Sequence, residues 1–573
     1  HDAALDTQAE AISANASQID RIDHNIDYLF ANLLESGADY KTTMRAFFIA
    51  NGAAAMTDFS GLCDRWYRIT RTGWTGGTRF YYSTTSMVSD GAKVGDNAGL
   101  TCVPSTNVSA NKDDYASLPL FACVDCNWYL DASGKPHITA IDGICGNFER
   151  YNPAKFVGVL QMTGWYKRTE DEATDTYIHM YTDEIGADGY APLPEAVDLD
   201  GTVRTWVCHG KYVAGNDLGC YSGCAPRDRD VSHNSSITLF RAAHGNQYGG
   251  KTSADDAFLK LMYYLKYGRM ETDTVLTGCC SYSWQYAAAE VETAVERFVV
   301  TAAQAANILV GSTVIIGNPT AFTTPPTLNL GRNELGMRAK ADRVKVTGKE
   351  TLESGNVAII VDNKGVKFDT TANTITTAGD APCYISSMPW HSGSCDDVLG
   401  NDGSPANPTS GKEPAMLQGI EYMVGGYEIV SDCILQYGKD AEDNNALGVL
   451  VCRDASKYST SPNANYAKAG YQMRCPDASS WNTISEIGFD PERPEVWFPA
   501  KFGGTSSQRT RDSIYALAQS SGNYEWLSVG RLSYGVGAAG PSCVNAVSGL
   551  SLGRWYILAR LSATGNRGEF VAA

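Results

Sequence analysis

The chain has 573 residues, too many for one hydrophobic core, so about three to five domains are expected. Its 46 Lys and Arg against 64 Asp and Glu leave a formal charge of −18, which repels nucleic-acid phosphate and anionic membrane alike and argues against both as main partners. No run approaches the ~18 apolar residues of a membrane span, and 56 Gly and 31 Tyr with only 19% charged residues point to a β- and loop-rich protein with much tyrosine-bearing surface.

Residues 1–38 carry a heptad pattern. Leu5, Ile12, Ile19, Ile26 and Leu33 recur every seventh residue, and Ile22 and Leu29 fall three residues after Ile19 and Ile26. That is the a/d seam of a coiled coil, and isoleucine at both positions favours three strands. Gln8 and Asn15 occupy the earlier d positions and set register at some cost in stability. The plainer alternative is an amphipathic helix packed on its own domain. Gly37 caps the helix C-terminally.

Residues 39–250 read as a β-rich domain, with short aromatic runs such as "RFYYSTTSMV" and "TDTYIHMYTDEI" between Gly, Pro, Asn and Asp turns. Residues 251–310 read as a helical pair. In the first helix Ala257, Phe258, Leu261, Met262 and Leu265 recur at helical spacing behind the capping residues Ser253 and Asp255. The alanine-rich stretch 283–309 is expected to form the second. From 311 to 386 strand patterns such as "RVKVTG" and "NVAIIVD" predict a small β-barrel or sandwich. A Pro- and Gly-rich stretch around 380–415 reads as a linker or surface loop, and 387–573 form the last module.

The 16 cysteines are scattered. Cys123/Cys126 and Cys220/Cys224 could form two halves of a zinc site, but no Cys/His pair of matching short spacing repeats elsewhere, so reduced thiols in turns are the simpler reading. His233 and His244 fall in predicted loops with no metal spacing. "HSGSCDD" (391–397) crowds His, Ser and Asp as loops commonly do, and no Gly-x-Ser-x-Gly elbow sits between a strand and a helix. No catalytic residue, metal or cofactor is assigned.

Residues 530–561, "GRLSYGVGAAGPSCVNAVSGLSLGRWYILARL", hold three charges, all Arg, among Gly, Ser, Ala and interleaved aromatics. Tyr gives contact area with few rotors, and Ser and Gly adapt, as in antibody loops. The preceding landmarks "GIEYMVGGYEIVSD" (419–432), "EIGFDPERPEVWFPAKFGG" (486–504) and "EWLSVGRLSYG" (525–535) occur in an order that resembles the variable proteins of diversity-generating retroelements, above all tail-tip receptor-binding proteins of gut bacteriophages. The likeness covers roughly the last third of the chain and is weaker before it.

The resemblance implies a C-terminal C-type lectin-like domain of the formylglycine-generating-enzyme type. The whole would then be a multidomain, mainly β protein with some α structure: an N-terminal coiled coil, β-rich middle domains and a lectin-like tip. It also implies that adenine-directed mutagenesis varies a set of ligand-binding positions over a fixed framework. Ser533, Tyr534, Ala538, Val547, Ser548, Leu552, Arg554 and Tyr556 sit where varied, solvent-facing positions would be. Trp555, Ile557, Ala559, Arg560 and Leu561 sit where the framework would be.

The function implied is that of a phage tail-fibre adhesin, a non-enzyme in the virion tail. Its partners would be a bacterial host cell-surface receptor, phage tail or baseplate proteins, and two further copies of itself in a homotrimer. The calcium-binding triplets of sugar-binding lectins are missing, since "KEPAM" (412–416) and "SWNT" (480–483) lack the second oxygen ligand. A capsule-degrading tailspike enzyme and a bacterial surface-displayed binding protein are the alternatives. The first is disfavoured because no β-helix repeat is visible.

Overall fold

The computed structural model describes residues 25–81, 90–171, 173–272, 274–320, 331–375, 379–503, 512–532 and 539–570. Most of the heptad seam, residues 1–24, lies outside them. Residues 25–35 form helix α1. Phe30 is buried and Ile26 and Leu34 are half-buried, one turn apart, on the face turned to the body of the protein. The seam residues Leu29 and Leu33 lie on the outer side, 55% and 38% exposed.

Helices α2 (Tyr40–Ala50) and α3 (Ser60–Ile69) follow, in a stretch read from sequence as largely strands. Their aromatics recur at spacings of three and four: Met44, Phe47 and Phe48 in α2, and Leu62, Cys63, Trp66 and Tyr67 in α3. That puts each set on one buried face. Asp39 caps α2 by accepting the Thr42 N–H at 2.8 Å. The Trp66 indole N–H donates to the Tyr40 hydroxyl at 2.9 Å and locks the two helices together.

Two sheets complete the first part. One has five strands, in the spatial order Ala92–Gly95, Thr75–Tyr81, Thr176–Thr182, Trp165–Asp171 and Ala191–Pro192. The other has four, in the order Pro136–Ile141, Cys123–Leu130, Phe156–Met162 and Trp206–Gly210. Cys123 and Cys126 are three apart on one strand and face opposite sides of it. The Cys220 thiol donates to the Val157 and Tyr212 carbonyls, and Cys224 to the Tyr221 carbonyl. Among the described residues no three His, Cys, Asp or Glu side chains converge as a metal site, and no helix is long and apolar enough to cross a membrane.

His233 and His244 do not lie in loops; they bound helix α4 (His233–His244), and His233 is buried. Ser232 and Ser235 close a capping box at its start. Helix α5 (Ser253–Tyr267) forms where the spacing predicts it, with Thr252 as N-cap and Asp255 completing the box.

The second helix expected over 283–309 does not form. Gln285–Ala287 and Arg297–Val300 are strands, and only Ala302–Ala305 makes a helical turn. Phe298, Val299 and Val300 are buried by pairing with Val357–Val361, and this packing of β-branched residues outweighs the helix preference of the alanines. Those strands belong to a six-stranded sheet over 285–388 that curls into a nearly closed barrel. The Ala289 N–H donates to the Val299 carbonyl at 2.9 Å and joins its first and last strands. The stretch 380–415 is no free linker, since it supplies the barrel strand Tyr384–Met388 and buries Trp390, Cys395 and Val398.

The last part is built on the long strand Tyr427–Lys439 within a nine-stranded sheet. The chain then returns, with Ile557–Leu558 pairing in parallel with Tyr427–Glu428, and Leu561–Ser562 pairing with Gly249–Gly250. A Cβ on Gly250 would lie 2.2 Å from the Ser431 hydroxyl oxygen, so any larger residue there would have to displace that hydroxyl. One hydrophobic core runs from Phe30 through α5 to Ala563, and the segments 39–250 and 387–573 share it.

Every residue of α5 from Ser253 to Lys266 is buried, including four charged ones. Asp256 accepts from Lys251 at 3.0 Å and from Lys260 at 2.7 Å. Lys266 lies 2.8 Å from Asp402, and Asp255 lies 2.8 Å from His209. At the helix N-terminus Asp432 accepts from the Ser253 N–H and hydroxyl, and Arg567 donates to it at 2.7 Å. Arg560 grips Glu428 with two hydrogen bonds of 2.8 and 2.9 Å. Burial works against ionisation of Glu428, but Arg560 and Lys251 hold its carboxyl below the usual range.

Removing one partner of such a buried pair strands the other. Arg567→Met is therefore expected to cost about 3–5 kcal/mol in a urea melt, with the whole described core lost in one transition. Loss of the C-terminal sheet alone, with the Trp66 region still folded, would contradict the shared core.

Glu195 adds a pH dependence. Its carboxyl is buried, 3.6 Å from His209 Nε2, and burial pushes it up to about 7 from 4.5. The folded chain therefore keeps a proton that the unfolded chain has released. That stabilisation is complete below pH 4.5 and is lost as pH rises through about 7. The urea midpoint of the wild type should fall between pH 5.5 and 8, and Glu195→Gln should shrink that fall. An unchanged fall would show that Glu195 does not titrate there.

Candidate ligand-binding surface

The segment singled out by composition enters along Gly522–Ser528 and leaves along Ile557–Leu558, both paired with Tyr427–Lys439. Ser533, Tyr534 and Ala538 lie outside the described residues. The other five expected positions form the neck and rim of one loop, 547–556.

Ser548 does not face solvent: it is 3% exposed, and its carbonyl accepts the Glu525 N–H at 2.9 Å. This extends the pairing of the Glu525 strand, which leaves no room for Ser548 at the surface. Val547 is half-buried, and its N–H donates to the Asn545 side chain at 3.3 Å. Beyond the neck the loop rises. Leu552 is half-buried and closes a turn onto the Gly549 carbonyl at 2.8 Å. Ser551 and Arg554 are exposed.

Trp555 is fully buried, as are Ile557, Ala559, Arg560 and Leu561, the expected framework. Trp555 belongs to the barrel's core and not to the main one. Its backbone N–H donates to the Asn333 side chain at 3.0 Å, and the buried Arg332 guanidinium lies 4.6 Å from the centre of its ring. Tyr556 turns the other way, half-buried. Its ring meets Trp555 at 5.3 Å and Tyr427 at 6.0 Å, both edge-on, and Arg531 covers it at 4.2 Å.

The loop is held from two sides by remote segments. The Arg229 N–H donates to the Arg554 carbonyl at 3.2 Å, and the Asn234 N–H to the Leu550 carbonyl at 2.8 Å. The Asn234 amide also reaches the Ser551 hydroxyl at 3.1 Å. A Cβ on Gly553 would lie 2.0 Å from the Arg229 carbonyl, so the two backbones approach too closely for any side chain there. On the barrel side Leu335 is 67% exposed, close in sequence to Arg332 and Asn333.

The sequence reading missed Arg229, Asn234, Arg332, Asn333 and Arg531. Four of them stand more than 200 positions before the loop, and no local pattern marks them. Burial, together with the neighbouring Arg531 and Arg338, lowers the pKa of Arg332.

Chemically the face offers a guanidinium, hydroxyls and aromatic edges, groups that bind. The "HSGSCDD" residues lie elsewhere and are occupied. His391 Nδ1 is 2.8 Å from the Thr313 hydroxyl, while Ser392 and Ser394 donate to the Val213 and His391 carbonyls. No protein-family model matches the chain, and no curated protein matches it.

The difference in burial between Trp555 and its neighbours Ser551 and Arg554 gives a direct expectation. Trp555→Ala should cost about 3–5 kcal/mol of stability, as a fully buried aromatic. Ser551→Ala and Arg554→Ala should change it by less than about 0.5 kcal/mol. Thermal melts of the three variants check this, and equal losses would mean that the loop is framework throughout.

Proposed function

We propose that the protein is a bacteriophage tail receptor-binding adhesin whose C-terminal, C-type lectin-like part presents a diversified loop to the host cell surface. The observation that carries this reading is the split between neighbours. Trp555 is sunk in the barrel core while Arg554 and Ser551 stand in solvent on a loop pinned by backbone bonds. Such a loop tolerates exchange of its exposed side chains without loss of the fold, which a diversified binding protein requires. Binding is non-enzymatic in this reading, and the rigid support keeps the ordering cost of the loop low.

The exposed Leu29 and Leu33 support a parallel three-stranded coiled coil at the N-terminus, while Ile26 of the same seam packs on the body of the protein. Three tips on one axis would convert weak single contacts into avid attachment.

Two measurements test the proposal. The DNA flanking the gene should carry a reverse transcriptase and a near-copy of the segment encoding 530–561 that differs at adenines; its absence would remove the diversification. Light scattering should return a trimer for the full chain and a smaller species for Leu29→Asp/Leu33→Asp. A monomeric wild type would rule out the coiled coil.

A further inference from the structure

A groove runs along the edge of the five-stranded sheet, on elements outside the 530–561 segment. Two hollows of about 720 and 450 Å³ share Pro192, Pro194, Pro491, Pro494 and Phe570 in their walls. The larger is of the size that encloses a small ligand, commonly about 300–1,000 Å³. Its walls are mostly apolar. Trp165 meets Phe570 edge-on at 5.4 Å, and Tyr166 meets Phe489 at 5.7 Å. Tyr190 is half-exposed on the rim.

Four cations line the two hollows, and three of them face carboxylates: Arg168 with Glu170, Arg453 with Glu495 and Arg493 with Glu569. Lys167 differs. Its Nζ lies 4.7 Å from the centre of the Tyr190 ring and 3.5 Å from the Asp188 carbonyl, with no carboxylate at ion-pair distance among the described residues. A lysine held over an aromatic rim keeps donors available for an anion.

We infer that this groove binds an oligosaccharide that carries carboxylates. Aromatic rings offer apolar faces to the C–H side of a pyranose, and Lys167 offers a charge to a uronate beside it. The proline walls are stiff, so little ordering is needed on binding. A peptide adding as a strand is disfavoured, because the edge strand Ala191–Pro192 carries a proline without an N–H. The overall charge of −18 does not prevent this, since at physiological salt it is screened beyond about 8 Å, and the charged residues lining the larger hollow are Lys167 and Arg168 against Asp188.

The test is calorimetric titration of the full chain at physiological salt with tetragalacturonate and with neutral maltotetraose. Tetragalacturonate should bind about tenfold or more tightly than maltotetraose, in keeping with a single charge-assisted contact. Lys167→Gln should remove that preference and leave maltotetraose unchanged. Tyr190→Ala should weaken both. Melting curves establish that each variant is folded. No binding of tetragalacturonate at millimolar concentration would overturn the inference. So would equal affinity for the two sugars, an unaffected Lys167→Gln, or a polyproline peptide that binds the groove where tetragalacturonate does not.

Discussion

A helix buried along its whole length cannot leave its charges to water. Asp255, Asp256, Lys260 and Lys266 of α5 each require a partner inside the protein: Asp256 pairs with Lys260 of the same helix and Lys251 just before it, while Asp255 and Lys266 draw theirs, His209 and Asp402, from distant parts of the chain. Burying an unpaired charge costs several kcal/mol, so the pairs with His209 and Asp402 fix distant segments against the helix. His209 belongs to the four-stranded sheet, Asp402 to the loop after the barrel, and Lys251 to the turn before α5. At the N-terminus of α5 the Asp432 carboxylate accepts from Ser253 and from Arg567, six residues from the end of the chain. The middle and terminal parts are therefore joined by electrostatic necessity as well as by apolar contact.

This arrangement explains how a loop rich in small residues is held still. Arg560 and Arg567 clamp the strand that leaves the loop, and Glu428 and Asp432 anchor the strand beside it. On the loop itself Trp555 points inward to the barrel and Tyr556 packs between Tyr427 and Arg531. The side chains left over, Ser551 and Arg554, carry little of the packing. Within one short segment, Trp555 and Tyr556 carry the packing while Ser551 and Arg554 face solvent.

Much of this was legible where spacing alone decides. The α5 pattern of Ala257, Phe258, Leu261, Met262 and Leu265 specifies a helix, and the barrel strands Thr313–Gly317, Ala341–Thr351 and Val357–Val361 carry plain strand patterns. Trp555 is recognisable as a core residue. What sequence hid was non-local. The alanines of 283–309 look helical until Val357–Val361 is there to pair with Arg297–Val300. The aromatics of α2 and α3 look strand-like unless their three- and four-residue spacing is counted. Ser548 looks like a contact residue, but the Glu525 strand buries it. Asn333 reaches Trp555 across 222 positions, a distance at which no single sequence carries a signal.

Native-state hydrogen exchange tests the central claim most directly, because it reads each segment's opening energy separately. If the buried charges of α5 join the protein into one unit, the amides of 253–267 and 557–562 should exchange together, at the free energy of global unfolding. Amides at the crest of the 549–556 loop should exchange far more easily. Exchange of 557–562 at a markedly lower free energy than α5 would contradict the account, since the C-terminal strands would then open without disturbing the ion pairs that are said to hold them.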